Sequence, residues 1–337
     1  LRRQKAQIRK QQNKKIESQK GLNAKKEQEY VLPEGFSEEV KKEVRKLPQH
    51  DISQTEIMRR RDMRDVLTFT IDPDEAKDFD DALSFQELDS GNCQIGIHIA
   101  DVTHYVAEQT ALDDEAYHRG TSIYLVDKVI PMLPERLSNE LCSLRPNEDK
   151  LCMSVILEMD NEAKVIRHKI CRTVICSDYR LTYRQAQDIL EDKVCDAVKG
   201  NEQKVSQAIL RLDQLAKILR ANRFRHGAIN FEAPEVHFRL DEQGEPVEIF
   251  FHKSYDSNHL IEEFMLLANR IVAAEIGKKN KNQDGETTGK YPFVYRVHAN
   301  PDPEKLSKLA TFIKRFGFSL KTSSNGGATH KQINALL

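Results

Sequence analysis

The chain has 337 residues, of which 39% are hydrophobic and 31% are charged. This composition is typical of a globular protein and excludes a disordered or fibrous chain. The formal net charge of −1 excludes a bulk electrostatic attraction to nucleic acid or to a membrane surface. No apolar run reaches the roughly 18 residues that a membrane helix needs, and the six cysteines include no CxxC pair. We therefore expect reduced thiols, no membrane contact and a cytoplasmic location.

The first part of the chain is basic. Residues 1–29 hold ten lysines and arginines against three glutamates, and Leu1 opens the chain inside this run. We interpret 1–50 as a basic linker with helical segments and expect the chain to be a piece of a longer protein. The arm can contact a polyanion or be a solvated tail. Within it, Ser37 predicts the start of a helix over 38–46.

Strand patterns dominate the next hundred residues. An apolar run at 66–71 predicts a strand, and alternation on both sides of the turn at 89–92 predicts two more. A short helix is predicted over 111–119, ending at Gly120, and a strand over 122–126. The segments 153–159 and 165–176 predict a long antiparallel hairpin.

Helices become more frequent in the second half. Apolar spacing predicts a helix over 205–219, and short strands are predicted at 230–233, 236–240 and 247–251. Ser257 is predicted to cap a helix over 258–276, which a polar loop at 278–290 follows. Asp302 is predicted to cap a last helix over 303–316. The elements show no βαβ rhythm, so we predict an α+β (mixed α/β) fold.

The acidic run TIDPDEAKDFDDA at 70–82 carries the strongest chemical signal. Crowded carboxylates repel one another unless a cation relieves them, and hard oxygen ligands favour magnesium, manganese or calcium over zinc. The spacing does not fit an EF-hand loop, because position five is Ala76 or Ala82 for the two possible starts. A phosphatase-type Asp-x-Asp nucleophile fits poorly, since Asp78 does not directly follow the strand. A solvated acidic loop remains the alternative.

The same run resembles the signature of the ribonuclease II and ribonuclease R family in its RNB catalytic domain, most of all its bacterial ribonuclease R branch. Further segments resemble the family in the same order: HIADVTHYV at 98–106, GTSIYL at 120–125, IPMLPERLSNELCSL at 130–144, LIEEFMLLAN at 260–269 and YRVH at 295–298. The resemblance extends from about residue 55 to residue 320. It implies an RNB-type fold with a mostly antiparallel sheet and packed helices. It also implies that 51–337 is the N-terminal part of the catalytic domain.

The resemblance implies an activity and a set of site residues. Members of this family are processive, magnesium-dependent 3′→5′ exoribonucleases that release nucleoside 5′-monophosphates, and manganese is the expected substitute for magnesium. The implied partner is single-stranded RNA of any sequence, bound by a monomer. Transferred by motif position, the metal-binding and catalytic residues are Asp72, Asp78, Asp80 and Asp81, with Asp80 the most damaging single loss.

The implied RNA contacts are Tyr124 and Tyr183 near the 3′ end and Phe231 as a base-stacking ring. Glu262 and Glu263 are further candidates for the RNA channel. The open alternatives are ordinary core aromatics for the rings and a structural ion pair for the glutamates.

The chain also departs from the family pattern. No segment of the Ser-Pro-Ile-Arg-Arg-Tyr type, whose arginines complete the active site, occurs within it. Residues 1–50 leave room for only a trace of the OB-type domain that precedes the catalytic domain in the family. The fragment is therefore expected to lack part of the machinery. A noncatalytic RNA-binding or scaffolding relative is the second hypothesis, and a generic divalent-metal protein is the third. His98 and Asp101 are predicted to form a hydrogen-bonded structural pair.

Overall fold

The computed structural model describes residues 33, 35–48, 52–126, 128–229, 236–241, 245–251, 254–277, 279–281, 287–289, 293–297, 302–320 and 334. The basic arm at 1–29, the predicted strand at 230–233 and Phe231 lie outside the described residues.

A seven-stranded sheet forms the centre of the described structure, with the strand order β1-β8-β7-β4-β3-β2-β9. Its strands are Arg61–Asp62 (β1), Thr68–Asp72 (β2), Asp81–Glu87 (β3), Cys93–Ala100 (β4), Asp149–Met159 (β7), Val165–Cys176 (β8) and Tyr179–Thr182 (β9). Neighbouring strands are antiparallel except for the two outer pairs, β1 with β8 and β2 with β9, which are parallel. The predicted α+β fold with a mostly antiparallel sheet is confirmed.

The longest ladder is the predicted hairpin of β7 and β8, which begins at residue 149, four residues before the predicted start. Asp160 forms its turn by accepting hydrogen bonds from the amides of Glu162 and Lys164, each at 2.9 Å. Short polar side chains favour turns because they bond nearby backbone groups in this way.

Among the described residues, three smaller ladders lie outside the central sheet. They pair Ile123–Tyr124 (β5) with Val129–Ile130 (β6), Val236–Leu240 (β10) with Pro246–Phe251 (β11), and Lys279–Lys281 (β12) with Thr287–Gly289 (β13). The segment 278–290, predicted as a polar loop, thus contains two short paired strands in its described part. Alternating apolar residues are missing there, so strand periodicity gave no signal for β12 and β13.

Seven α-helices are described: Glu38–Lys46 (α1), Gln54–Met58 (α2), Ala111–Arg119 (α3), Tyr183–Leu190 (α4), Glu202–Arg225 (α5), Asp256–Ile276 (α6) and Pro303–Lys314 (α7). Short 3-10 turns at Val102–His104 and Asp196–Val198 and a π-helical turn at Arg136–Leu141 complete the set. None of the described helices is long and apolar enough to cross a membrane.

Most of the described helices begin after a residue whose side chain accepts a hydrogen bond from the first helical turn. Ser37 and Asp302 accept hydrogen bonds from the first turns of α1 and α7, as predicted. Ser257 is not the cap of α6, because that helix begins at Asp256. Instead, Ser257 is buried and its hydroxyl donates to the carbonyl of Tyr183 at 2.7 Å. The serine therefore joins α6 to the start of α4.

Each face of the sheet carries its own core. On one face, the sheet packs against α4, α5 and α6 through residues such as Leu83, Ile189 and Phe264. On the other face, α1, α3 and the π-helical turn pack around Phe79 and Leu137. Burying a side chain of this size contributes about 1.5–3 kcal/mol, so both layers hold the sheet and the loops at its ends.

A buried polar chain crosses the second face. His98 hydrogen-bonds Ser84 at 2.8 Å and Ser154 at 2.7 Å, and Ser154 bonds Thr173 at 2.6 Å. Asp101 instead pairs with Arg60 at 2.8 Å. The predicted pairing of His98 with Asp101 was wrong, although both side chains are buried and have structural partners. The six cysteines are free thiols.

Candidate active site

The acidic run forms a loop at one end of the sheet. Strand β2 is buried along its whole length and ends at Asp72, and Pro73 follows without an amide for a further ladder bond. The chain re-enters the sheet at Asp81, the first residue of β3. Since β2 and β3 are antiparallel neighbours, Asp72 and Asp81 lie at the same end of the sheet. We call residues 73–80 the acidic loop.

The second half of the acidic loop is fixed by backbone hydrogen bonds. The hydroxyl of Ser143 accepts from the amide of Phe79 at 3.0 Å and donates to the carbonyl of Lys77 at 2.8 Å. The amide of Leu144 donates to the carbonyl of Phe79 at 2.9 Å. These bonds seat the buried Phe79 ring in the core and leave Asp78 half-buried and Asp80 exposed.

Three of the four aspartates have raised pKa values. Burial, and then the neighbouring carboxylates of Asp72 and Asp80, raise the pKa of Asp81 to about 7. Burial also raises the pKa of Asp72 to about 6, against the opposing charge of Arg180. Around Asp80, loss of solvation by nearby protein atoms and then the charge of Asp78 raise the pKa, even though its side chain reaches solvent. The four predicted residues therefore form one coupled cluster, which is where a cation would be stabilised most.

The donor set fits a hard divalent cation. Asp72 Oδ2 is buried without a hydrogen-bond donor, which leaves an acceptor that a cation can satisfy. Carboxylate oxygens are the ligands that magnesium and manganese prefer. No three His, Cys, Asp or Glu side chains in the described part of the chain converge as a ready-made metal site. A bound ion would therefore need phosphate or water oxygens among its ligands, which is usual for magnesium.

Two predicted tyrosines border the cluster. Tyr124 in β5 is 68% exposed, and its hydroxyl donates to Asp78 Oδ2 at 3.3 Å. Tyr183 opens α4 directly after Thr182, which lies opposite Asp72 in the pairing of β2 with β9. Burial, followed by the charges of Asp81 and Asp72, raises the pKa of Tyr183 to about 12. Both tyrosines are therefore brought to the acidic cluster.

The two glutamates are engaged in ion pairs. Glu263 is buried and bonds Arg223 at 2.5 Å. Glu262 bonds the same arginine at 2.9 Å and also lies 3.4 Å from Arg220. These contacts join α5 to α6, which corresponds to the structural alternative. A role in an RNA channel stays a prediction, as does the stacking role of Phe231.

Two residues that contact the acidic loop, Ser143 and Arg180, were not predicted from the sequence. Ser143 lies inside a segment quoted for the resemblance, yet nothing local marks it as a contact of the acidic loop. Arg180 in β9 donates to the carbonyls of Pro73 and Asp74 at 2.7 and 2.9 Å. Both contacts span long stretches of sequence, so no periodicity or local motif could have indicated them.

Known proteins show to which family the chain belongs. A family model described as RNB domain matches residues 60–336. Ribonuclease R of Thermotoga maritima is 42% identical over 292 residues, which cover 86% of this chain and 39% of the relative. The chain thus spans well under half the length of this curated relative.

Solved structures give the same picture. Mycoplasma genitalium RNase R in complex with ribose methylated single-stranded RNA matches with a TM-score of 0.76 and 28% identity, over 90% of this chain and 45% of that one. Yeast Ssd1, described as a pseudonuclease, has a TM-score of 0.61 and 17% identity, over 83% of this chain and 32% of that one, which shows a shared fold alone. The resemblance predicted from sequence is confirmed, and the chain belongs to the RNB domain family.

Proposed function

We propose that this chain carries the acidic half of the active site of a 3′→5′ exoribonuclease. The enzyme hydrolyses RNA to nucleoside 5′-monophosphates and uses magnesium. The observation that carries the proposal is the coupled cluster of Asp72, Asp78, Asp80 and Asp81 at one end of the sheet. Raised carboxyl pKa values and an unsatisfied buried carboxylate oxygen are features of a site that a cation completes.

Each residue has a role in this proposal. The four aspartates would hold magnesium, with manganese as a substitute, and the bound ions would supply an activated water and charge stabilisation of the leaving oxygen. Asp72 and Asp81 are held by the strand ends, while Asp78 and Asp80 are held by the loop bonds around Phe79. The protein's own contribution is thus to fix four carboxyl groups in one place before the substrate arrives.

The tyrosines explain substrate choice in this proposal. The exposed ring of Tyr124 offers a flat surface beside the acidic cluster, and aromatic stacking tolerates every base. Tyr183 lies close enough to Asp81 and Asp72 for their charges to act on its phenol. Single-stranded RNA of any sequence, handled by a cytoplasmic monomer, is the substrate that we propose.

Noncatalytic RNA binding is the competing function, because yeast Ssd1, described as a pseudonuclease, shares the fold. Fold alone cannot separate the two. The intact carboxylate cluster favours catalysis, since an unsatisfied buried carboxylate oxygen such as Asp72 Oδ2 destabilises a protein unless a cation satisfies it.

The test uses the full-length protein that carries this chain, since the chain covers only 39% of the Thermotoga maritima relative. Single-stranded RNA labelled at its 5′ end is incubated with magnesium or with EDTA. We expect shortening from the 3′ end to mononucleotides only with magnesium. Asp80→Asn should abolish cleavage and keep RNA binding.

The matched control is Asp89→Asn, the same substitution in the exposed turn at the opposite end of β3. This control should cleave like the wild type. RNA that is bound but never shortened by the wild-type protein would establish the noncatalytic reading instead.

A further inference from the structure

Three buried polar atoms without hydrogen-bond partners belong to neighbouring residues of two paired strands. They are Thr70 Oγ1, Asp72 Oδ2 and Arg180 Nε. Thr70 lies opposite Arg180, and Asp72 lies opposite Thr182, in the parallel pairing of β2 with β9. Alternate residues of a strand share one face of the sheet, so these three side chains start from the same face. The cluster extends beneath the acidic loop rather than ending at the four aspartates.

Arg180 contacts the first half of the acidic loop through hydrogen bonds. Its Nη2 donates to the carbonyl of Pro73 at 2.7 Å and to that of Asp74 at 2.9 Å. Both carbonyls belong to the turn that takes the chain out of β2, immediately after Asp72. The arginine therefore fixes the direction in which the chain leaves the strand.

The same guanidinium also contacts the second half of the loop. Its central carbon lies 5.4 Å from the ring centroid of Phe79, within the range of a cation–π interaction. Phe79 is flanked in sequence by Asp78 and Asp80. Arg180 is thus the one described side chain whose hydrogen bonds and ring contact reach both halves of the acidic loop.

The charge of Arg180 acts on the cluster as well. Burial raises the pKa of the Asp72 carboxyl, whereas the Thr70 hydroxyl and, after it, the charge of Arg180 lower that pKa. The Thr70 hydroxyl makes no well-aligned hydrogen bond. The two carbonyl bonds and the ring contact give Arg180 specific partners in the acidic loop, beyond filling space.

We propose that Arg180 is a positioning residue of the acidic site, which sets the spacing of Asp72 relative to Asp78 and Asp80 so that the four carboxylates can bind divalent metal together. The inference rests on the proposed metal-dependent function. Lysine cannot replace Arg180 fully, because a single ammonium lacks the planar fork that donates to the backbone while it packs on a ring.

The experiment measures manganese binding and RNA cleavage separately in the full-length protein. Manganese affinity is measured by electron paramagnetic resonance without RNA, and kcat and KM are measured with 5′-labelled RNA. We expect Arg180→Gln to weaken manganese binding and to lower kcat by roughly 10–100-fold, the usual cost of losing a residue that orients ligands. The KM for RNA should stay near the wild-type value, and Arg180→Lys should be intermediate.

The matched control is Arg167→Gln. Arg167 lies in β8, opposite Glu158 of β7, near the turn of that hairpin. This control should leave both measurements unchanged. Arg180→Gln with wild-type manganese affinity and wild-type kcat would overturn the inference. If circular dichroism shows that Arg180→Gln does not fold, Arg180→Lys decides, and wild-type manganese affinity in that variant would overturn the role.

The wild-type protein separates this inference from the proposed function. A wild type that neither binds manganese nor shortens RNA contradicts the proposed function itself. A wild type that does both, together with an unaffected Arg180→Gln, contradicts only the role of Arg180.

Discussion

The hydroxyl of Tyr124 donates a hydrogen bond to Asp78 Oδ2 at 3.3 Å. The tyrosine ring is 68% exposed, so one side chain combines an open aromatic face with a bond to the acidic loop. Proximity to Asp78 also contributes, after burial, to a raised pKa of the Tyr124 phenol. The phenol therefore stays protonated and can act as a donor throughout the physiological pH range.

The ring of Tyr124 and its hydroxyl have different roles in this proposal, and two substitutions separate them. Tyr124→Ala removes the ring and should weaken RNA binding by about 1–3 kcal/mol, the usual cost of losing one stacking partner. Tyr124→Phe keeps the ring and should bind RNA almost as well as the wild type. Fluorescence anisotropy of labelled single-stranded RNA in EDTA measures both. Tyr117→Ala, which removes an 84% exposed tyrosine of α3, is the control. Equal weakening by Tyr124→Phe and Tyr124→Ala would show that the hydroxyl, not the ring, matters.

The raised pKa of Asp81 predicts how stability depends on pH in the absence of metal. Its folded-state pKa of about 7 lies above the ordinary value of 3.8, so the folded state holds the proton more tightly than the unfolded state. This contribution to stability is complete below the ordinary value and is lost as the pH rises through the folded-state value. The contribution of Asp81 to the stability of the metal-free protein should therefore fall between those two pH values, while buried His98, whose pKa is lowered to about 3, contributes in the opposite sense below its ordinary value of 6.5.

Asp81→Asn tests this prediction. At pH 8 in EDTA the variant should be more stable than the wild type by about 1–2 kcal/mol, less than the full shift implies because Asp81 is partly solvated. Urea unfolding measures the difference. Magnesium should stabilise the wild type and have little effect on the variant, because a ligand stabilises only the state that binds it. Asp89→Asn should behave like the wild type in both conditions. A stability difference between Asp81→Asn and the wild type that does not grow from pH 4 to pH 8 would contradict the prediction.

Local signals explain which parts of the site could be predicted. The acidic loop follows an apolar run and precedes an alternating one, so the strand ends that hold Asp72 and Asp81 were predictable within two residues. The caps at Ser37 and Asp302 were predictable for the same reason. Each of these features depends on residues only a few positions apart.

Contacts between residues far apart in sequence explain the wrong pairing of His98 with Asp101 and the failure to predict Ser143 and Arg180. His98 and Asp101 are close in sequence, but His98 belongs to a polar chain across four strands, and Asp101 pairs with Arg60. Gly96 makes room for that chain, since an added Cβ would lie 2.3 Å from Ser84 Oγ and 2.4 Å from His98 Nε2. Such a requirement appears only after the strands are placed side by side. Ser143 and Arg180 escaped notice because their contacts with the acidic loop depend equally on the assembled sheet.

Ser143 gives the most direct test of how the fold supports the site. It is fully buried, accepts from the amide of Phe79 and donates to the carbonyl of Lys77. Ser143→Ala leaves both backbone groups without this partner, and each buried unsatisfied group costs about 1–3 kcal/mol. We therefore expect a lower free energy of unfolding in urea. We also expect a kcat on labelled RNA that falls more than KM changes, because a shift of about 1 Å in reacting groups can cost 100-fold in rate.

Ser90→Ala, in the exposed turn between β3 and β4, provides the matched control for Ser143→Ala. A Ser143→Ala protein with unchanged stability and unchanged kcat would show that the other contacts of the acidic loop hold it without the Ser143 hydroxyl.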